Sequence, residues 1–87
     1  MSPASQVTVR YFASLREALG AKEVMPLDPG TTLAQLRDAL IQRGGRHAEV
    51  LARGRALRCA INQVMADEAT PVPSGAEVAF FPPVTGG

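Results

Sequence analysis

Gln6-Val7-Thr8-Val9-Arg10-Tyr11-Phe12 runs straight into Ala13-Ser14-Leu15-Arg16-Glu17, and the join between the two sets the fold. Val7, Val9 and Tyr11 alternate with Thr8, Arg10 and Phe12. That period of two is a strand with its first set facing a core. Ser14 followed three positions later by Glu17 has the form of a capping box, so a helix is expected to open at Ser14. Gly20 stops it early. Lys22 to Leu27 reads as a second strand, confined to an edge or made irregular by Pro26, which has no N–H.

Further outward the pattern repeats at larger scale. Asp28-Pro29-Gly30 is a turn, and Thr32-Leu33-Ala34-Gln35 is a second capping box. Leu33, Leu36 and Leu40, widened by Ile41, form the apolar stripe of the main helix, which Gly44-Gly45 ends. Arg46 to Ala52 is expected to add one more short helix. Leu57, Cys59 and Ile61 alternate as a third strand, Asn62-Gln63 turns, and Val64-Met65-Ala66 returns. Asp67 to Gly75 is loop. Glu77 to Phe81 is the last strand, with Val78 and Phe80 on one face and Ala79 and Phe81 on the other. The order β-α-β-α-β-β-β with one substantial helix predicts an α+β fold, a small mixed sheet wrapped around that helix. The first and last strands have the strongest apolar patterns and are expected at the centre. Residues 1–5 read as a flexible N-terminus, 6–81 as the folded domain and 82–87 as an extended tail.

The chain has 87 residues, 46% hydrophobic and 20% charged, with a net charge of +1. This is the balance of one small globular domain. No apolar run reaches the ~20 residues that span a bilayer, and Met1-Ser2-Pro3-Ala4-Ser5 has no leader-like pattern. One cysteine forms no internal disulfide, and one Cys with one His builds no closed zinc site, so no metal is expected. A reducing, cytoplasmic location follows from that cysteine usage. A substrate-wrapping pocket is hard to build under so small a core. A binding or carrier module is therefore favoured over a free-standing enzyme.

Two aromatic pairs and the chain end carry the functional signal. Tyr11-Phe12 and Phe80-Phe81 each put one ring on either side of a sheet. Tyr11 and Phe80 are expected inside, and Phe12 and Phe81 together on the open face, where apolar patches mark partner sites. The competing arrangement tucks one outer ring under a loop or helix end. Pro82 to Gly87 can extend about 20 Å. Pro82-Pro83 favours a stiff extended launch, and Gly86-Gly87 is thin enough to thread a narrow channel. Such a tail suits a tethered reactive carboxylate; the plainer alternative is a frayed end.

Phe80-Phe81-Pro82-Pro83-Val84-Thr85-Gly86-Gly87 resembles the C-terminal signature of the MoaD-type sulfur carriers, the small subunits of molybdopterin synthase. Tyr11 to Glu17 is similar to that family's first strand and helix, and Ala60-Ile61-Asn62-Gln63 to its stretch before the fourth strand. Ala76 departs from the pattern, where an acidic residue commonly precedes Glu-Val. The resemblance implies a β-grasp, ubiquitin-like fold. It implies that a ubiquitin-activating-type enzyme, using ATP and magnesium, adenylates Gly87. A persulfide donor then turns the terminus into a thiocarboxylate. Pro82, Pro83, Val84, Thr85 and Gly86 would enter the large synthase subunit, which passes the sulfur to a pyranopterin precursor of the molybdenum cofactor. Partner contacts are implied at Phe12, Met65 and Phe81, in a heterotetramer of two small and two large subunits. The chain itself would bind no cofactor, nucleic acid or membrane and would not catalyse alone.

Other chemistry-bearing residues weigh less. Cys59 alternates with Leu57 and Ile61 and reads as a small core hydrophobe, not the carrier of sulfur. His47 has no ligand cluster near it and is expected in solvent. Arg43, Arg46, Arg53, Arg55 and Arg58 form a basic run without aromatic interleaving, so a solvated face, steering an acidic partner, is favoured over nucleic-acid binding. A protein modifier joined to lysines through Gly87, a non-reacting interaction module and a thiamine-pathway carrier are the alternative functions. The Phe-Phe-Pro-Pro lead-in argues against the thiamine sibling.

Overall fold

A computed structural model describes residues 5–82. The expected N-terminal segment falls outside the described residues except for Ser5, and so does the tail beyond Pro82. The elements are β1 (Gln6–Tyr11), α1 (Ser14–Leu19), β2 (Lys22–Pro26), α2 (Leu33–Ile41), α3 (Gly45–Val50), β3 (Arg58–Ile61), β4 (Val64–Ala66) and β5 (Glu77–Phe81). The five strands form one sheet in the order β2-β1-β5-β3-β4. β1 and β5 run parallel, with Tyr11 beside Phe80. All other pairings are antiparallel. The two strands with the firmest alternation do pair near the centre. The strand with Pro26 and the three-residue β4 take the edges, where a missing N–H and a short ladder cost least.

Alternation decides which face is covered. Val7, Val9, Tyr11, Val78 and Phe80 all point to the helix side and are buried. α2 lays Leu33, Leu36 and Leu40 onto them, and Leu51, Leu27, Val72 and Cys59 close the rim of the core. Each large side chain removed from water stabilises by about 1.5–3 kcal/mol. The start of α2 is fixed as its sequence predicts. The Thr32 hydroxyl accepts from the Gln35 N–H at 3.2 Å, and the Gln35 side chain accepts from the Thr32 N–H at 3.0 Å.

The capping box expected at Ser14 does not form. Ala13 occupies the N-cap, at φ 55°, and makes no side-chain cap bond. The cause lies in β1. The Phe12 N–H still donates to the Phe80 carbonyl, so the chain stays in the ladder until Phe12 and must reverse within one residue. Ser14 is therefore already helical, and the Leu15 N–H finds the Phe12 carbonyl at 3.1 Å instead of a hydroxyl. The Asn62-Gln63 turn takes φ of 51° and 70°, the doubly left-handed geometry of a two-residue hairpin. Asn62 also exchanges two hydrogen bonds with the Glu77 backbone, at 2.8 and 3.0 Å, which pins that hairpin to β5.

Candidate functional site

The sheet face turned away from α2 is where the outer aromatics meet. Phe12 follows Tyr11, and Phe81 follows Phe80, so the parallel register brings the two outer rings side by side. Their centroids are 6.3 Å apart at 88°, an edge-to-face pair. That geometry is worth about 0.5–1.5 kcal/mol beyond area burial. Phe12 is 39% exposed and Phe81 half-buried, so neither ring is sealed beneath a loop or helix end. Met65 is 54% exposed. Its ladder partner Ala60 lies opposite Ala79, so all three share the open face. Met65 thus stands two strands from Phe81, about 10 Å across the sheet, with small alanines between. Pro82, half-buried, continues from Phe81 and lines a groove with Ser14, Leu15 and Leu57. Pro83, Val84, Thr85, Gly86 and Gly87 lie outside the described residues.

Sequence reading singled out Arg58 in the basic run but placed neither Arg10 nor Arg58 beside this patch. The Arg10 guanidinium carbon sits 5.5 Å from the Phe12 ring centroid, a cation–π contact. Arg58 stands directly across the ladder from Phe81. Alternation around Phe12 gives Arg10 its face, but Arg58 needs the β3–β5 register, which local pattern does not contain.

The other candidates sit away from the open face. Cys59 is 3% exposed, and burial, with the Glu68 charge adding to it, pushes its thiol up to about 11. A sealed, protonated thiol is a poor nucleophile. His47 is not in solvent, contrary to expectation. Its Nε2 lies 2.9 Å from the Glu23 carboxylate, which also accepts from the Tyr11 hydroxyl at 2.7 Å and pairs with Arg43. Glu23 is far from His47 in sequence, and only the fold brings β2 against α3. Arg43 and Arg53 of the basic run are likewise held in ion pairs, Arg53 with Asp38 and Glu68. Among the described residues no three His, Cys, Asp or Glu side chains are grouped to hold a metal, and no helix is long and apolar enough to cross a membrane. A concavity of about 510 Å³ between β2 and α2, with Met25, Leu27, Asp28, Thr31 and Gln35 on its walls, is lined by no histidine, cysteine, lysine or arginine.

Known proteins share this chain's sequence pattern and fold. The ThiS family model matches residues 9–87. The molybdopterin synthase sulfur carrier subunit of Haemophilus influenzae is 40% identical over 81 residues, covering 93% of this chain and 99% of that protein. Its counterpart in Escherichia coli is 37% identical with the same coverage. Among solved structures, SAMP1 from Haloferax volcanii superposes with a TM-score of 0.75 at 25% identity, over 94% of this chain and 99% of that one. In a complex of subunits 1 and 2 of the molybdopterin-converting factor from Helicobacter pylori, one chain superposes with a TM-score of 0.65 at 26% identity, over 94% of this chain and 99% of that one. With its β-grasp sheet, its outward aromatic pair and a match that runs to Gly87, this chain belongs to the ThiS family, among the relatives that include the molybdopterin synthase sulfur carrier subunits.

Proposed function

We propose that this protein is the sulfur carrier subunit of molybdopterin synthase. The observation that carries the reading is end-to-end likeness to carrier subunits together with a Phe12–Phe81 pair on the open sheet face, next to the start of a tail that ends in Gly-Gly. Phe12, Phe81 and Met65 seat the domain on its partners, the large synthase subunit among them, which a relative's complex of two subunits supports. Pro82 to Gly86 carry Gly87 into the partner's cavity. The Gly87 carboxylate is adenylated by a ubiquitin-activating-type enzyme with ATP and magnesium. Adenylation turns an unreactive oxygen into a leaving group, AMP. The terminal sulfur of a donor persulfide displaces it to give an acyl disulfide. A thiol then attacks the donor-side sulfur, breaking the S–S bond to release the thiocarboxylate and leave a disulfide on the donor side. The resulting thiocarboxylate supplies sulfur to a pyranopterin precursor in the cytoplasm. The acids and bases belong to the partners, and two small and two large subunits make the working tetramer.

A separate domain helps because ordering six tail residues costs roughly 6–12 kcal/mol. Docking the sheet face first makes tail insertion intramolecular and raises its effective concentration. The test is loading with the activating enzyme, ATP, magnesium, a persulfide donor and a thiol reductant. Intact-mass measurement should show a gain of about 16 Da, one oxygen exchanged for sulfur in the activated acyl group. Adding one residue after Gly87 should abolish it. Loading at Cys59, or conjugation of Gly87 to lysines without any thiocarboxylate, would overturn the reading.

A further inference from the structure

The open face has an unbalanced charge pattern. By register, Lys22 and Glu77 flank the β1 residues Arg10 and Thr8, and Arg58 stands opposite Phe81. The face thus holds three cations, Arg10, Lys22 and Arg58, against one anion, Glu77, a net of +2. The whole chain is only +1, so everything else sums to −1. Elsewhere Arg37, Arg43 and Arg53 pair with carboxylates, whereas Arg16, Arg46 and Arg55 have no ion pair among the described residues. On the open face, among the described residues, Lys22 and Arg58 have no ion pair, and Arg10 has only a loose one, 3.6 Å to Glu77. The Arg10 Nε is shielded from water and without a hydrogen-bond partner. The Arg10 side chain as a whole is nevertheless 43% exposed, so the outer part of a guanidinium held beside an aromatic ring stays open to a partner carboxylate.

We infer that Arg10, Arg58 and Lys22 form a cationic rim around the Phe12–Phe81 anchor, and that the surface it selects is an apolar pocket of the large synthase subunit edged by carboxylates. The inference rests on the function proposed above and adds which residues choose the partner. Phe12 and Phe81 supply buried contact. The rim supplies steering, since charges at the edge of an interface act mainly on the association rate and its salt dependence.

The experiment uses the full chain and the large subunit from the same host in stopped-flow association at several salt concentrations. The wild type should associate about ten-fold more slowly when salt rises from low to several hundred millimolar. Arg10→Glu with Arg58→Glu should lower the low-salt rate by a similar factor and flatten the salt dependence. Arg10→Lys with Arg58→Lys should retain most of both. Circular dichroism reports whether each variant is folded, and single charge swaps replace the double one if it is not. A salt-independent wild type, or a folded charge swap that associates as fast as the wild type, overturns the rim while leaving the carrier function standing. A wild type that loads sulfur but forms no complex overturns the rim and the synthase assignment together. Failure to load sulfur with normal, salt-sensitive association overturns the carrier chemistry alone.

Discussion

Phe81 and Glu23 lie on opposite sides of the sheet and lead to different predictions, one for the proposed docking and one for stability. Phe81 packs edge-to-face on Phe12 and is half-buried, outside the core. Phe81→Ala should therefore weaken the complex with the large subunit about ten-fold or more, the scale of an aromatic hot spot. The thermal midpoint should move only slightly. Calorimetric titration and thermal melts separate the two effects, and normal binding or outright unfolding would contradict the outward placement. Glu23 is a stability residue. Burial raises its pKa, but hydrogen bonds from Arg43, His47 and Tyr11 outweigh this and hold it down at about 2 against an ordinary 4.5. A depressed carboxylate stabilises above its unfolded value and loses that contribution as protons are forced on. The protein should lose stability as pH falls from 4.5 towards 2, and Glu23→Gln should flatten that limb of a melting-temperature profile. At the alkaline end burial, with the Glu23 bond adding to it, raises the Tyr11 hydroxyl. That contribution is present at neutral pH and fades above the ordinary tyrosine range.

At the scale of elements, local chemistry was legible where both partners lie within one turn and no distant ladder competes for the same backbone. Thr32 and Gln35 are three residues apart, and their box forms as the pattern implies. Thr32→Ala should cost about 1 kcal/mol, lowering the melting temperature of a domain this size by roughly 4–8 °C. Ser14 and Glu17 have the same spacing and fail. The pull of the β1–β5 ladder on Phe12 moves the helix boundary by one residue, and a ladder contact with residue 80 is invisible from residues 12–17. The strand assignments survived because alternation reports burial directly: Cys59, Val78 and Phe80 point inward as their spacing required. His47 was misread because its partner lies 24 positions away.

For the whole molecule, Arg37 is the residue that local reading passed over. It sits one turn after Leu33, inside the apolar stripe of α2, and that misplaced charge was the available clue. It is 3% exposed. Its guanidinium donates to the carbonyls of Leu51, Ala52 and Arg55 at 2.6–2.9 Å and to Glu68 at 2.6 Å. One side chain thereby joins α2 to the segment after α3 and to the loop before β5. Arg37→Ala should cost about 3–5 kcal/mol, because it strands those acceptors. That is a large share of the 5–15 kcal/mol typical of a domain. Arg37→Lys should recover only part of it, since an ammonium lacks the planar fork. Urea denaturation measures both.

The place of β5 between β1 and β3 has a mechanical consequence. A partner that grips the end of the chain and draws on it transmits the tension into a strand bonded along both flanks. Load applied along that strand is shared by two ladders at once, so they must slip together; they cannot unzip one bond at a time. The anchorage is therefore strongest in the direction in which a receiving cavity would haul the terminus, and the globule can be tugged at its tip without coming apart.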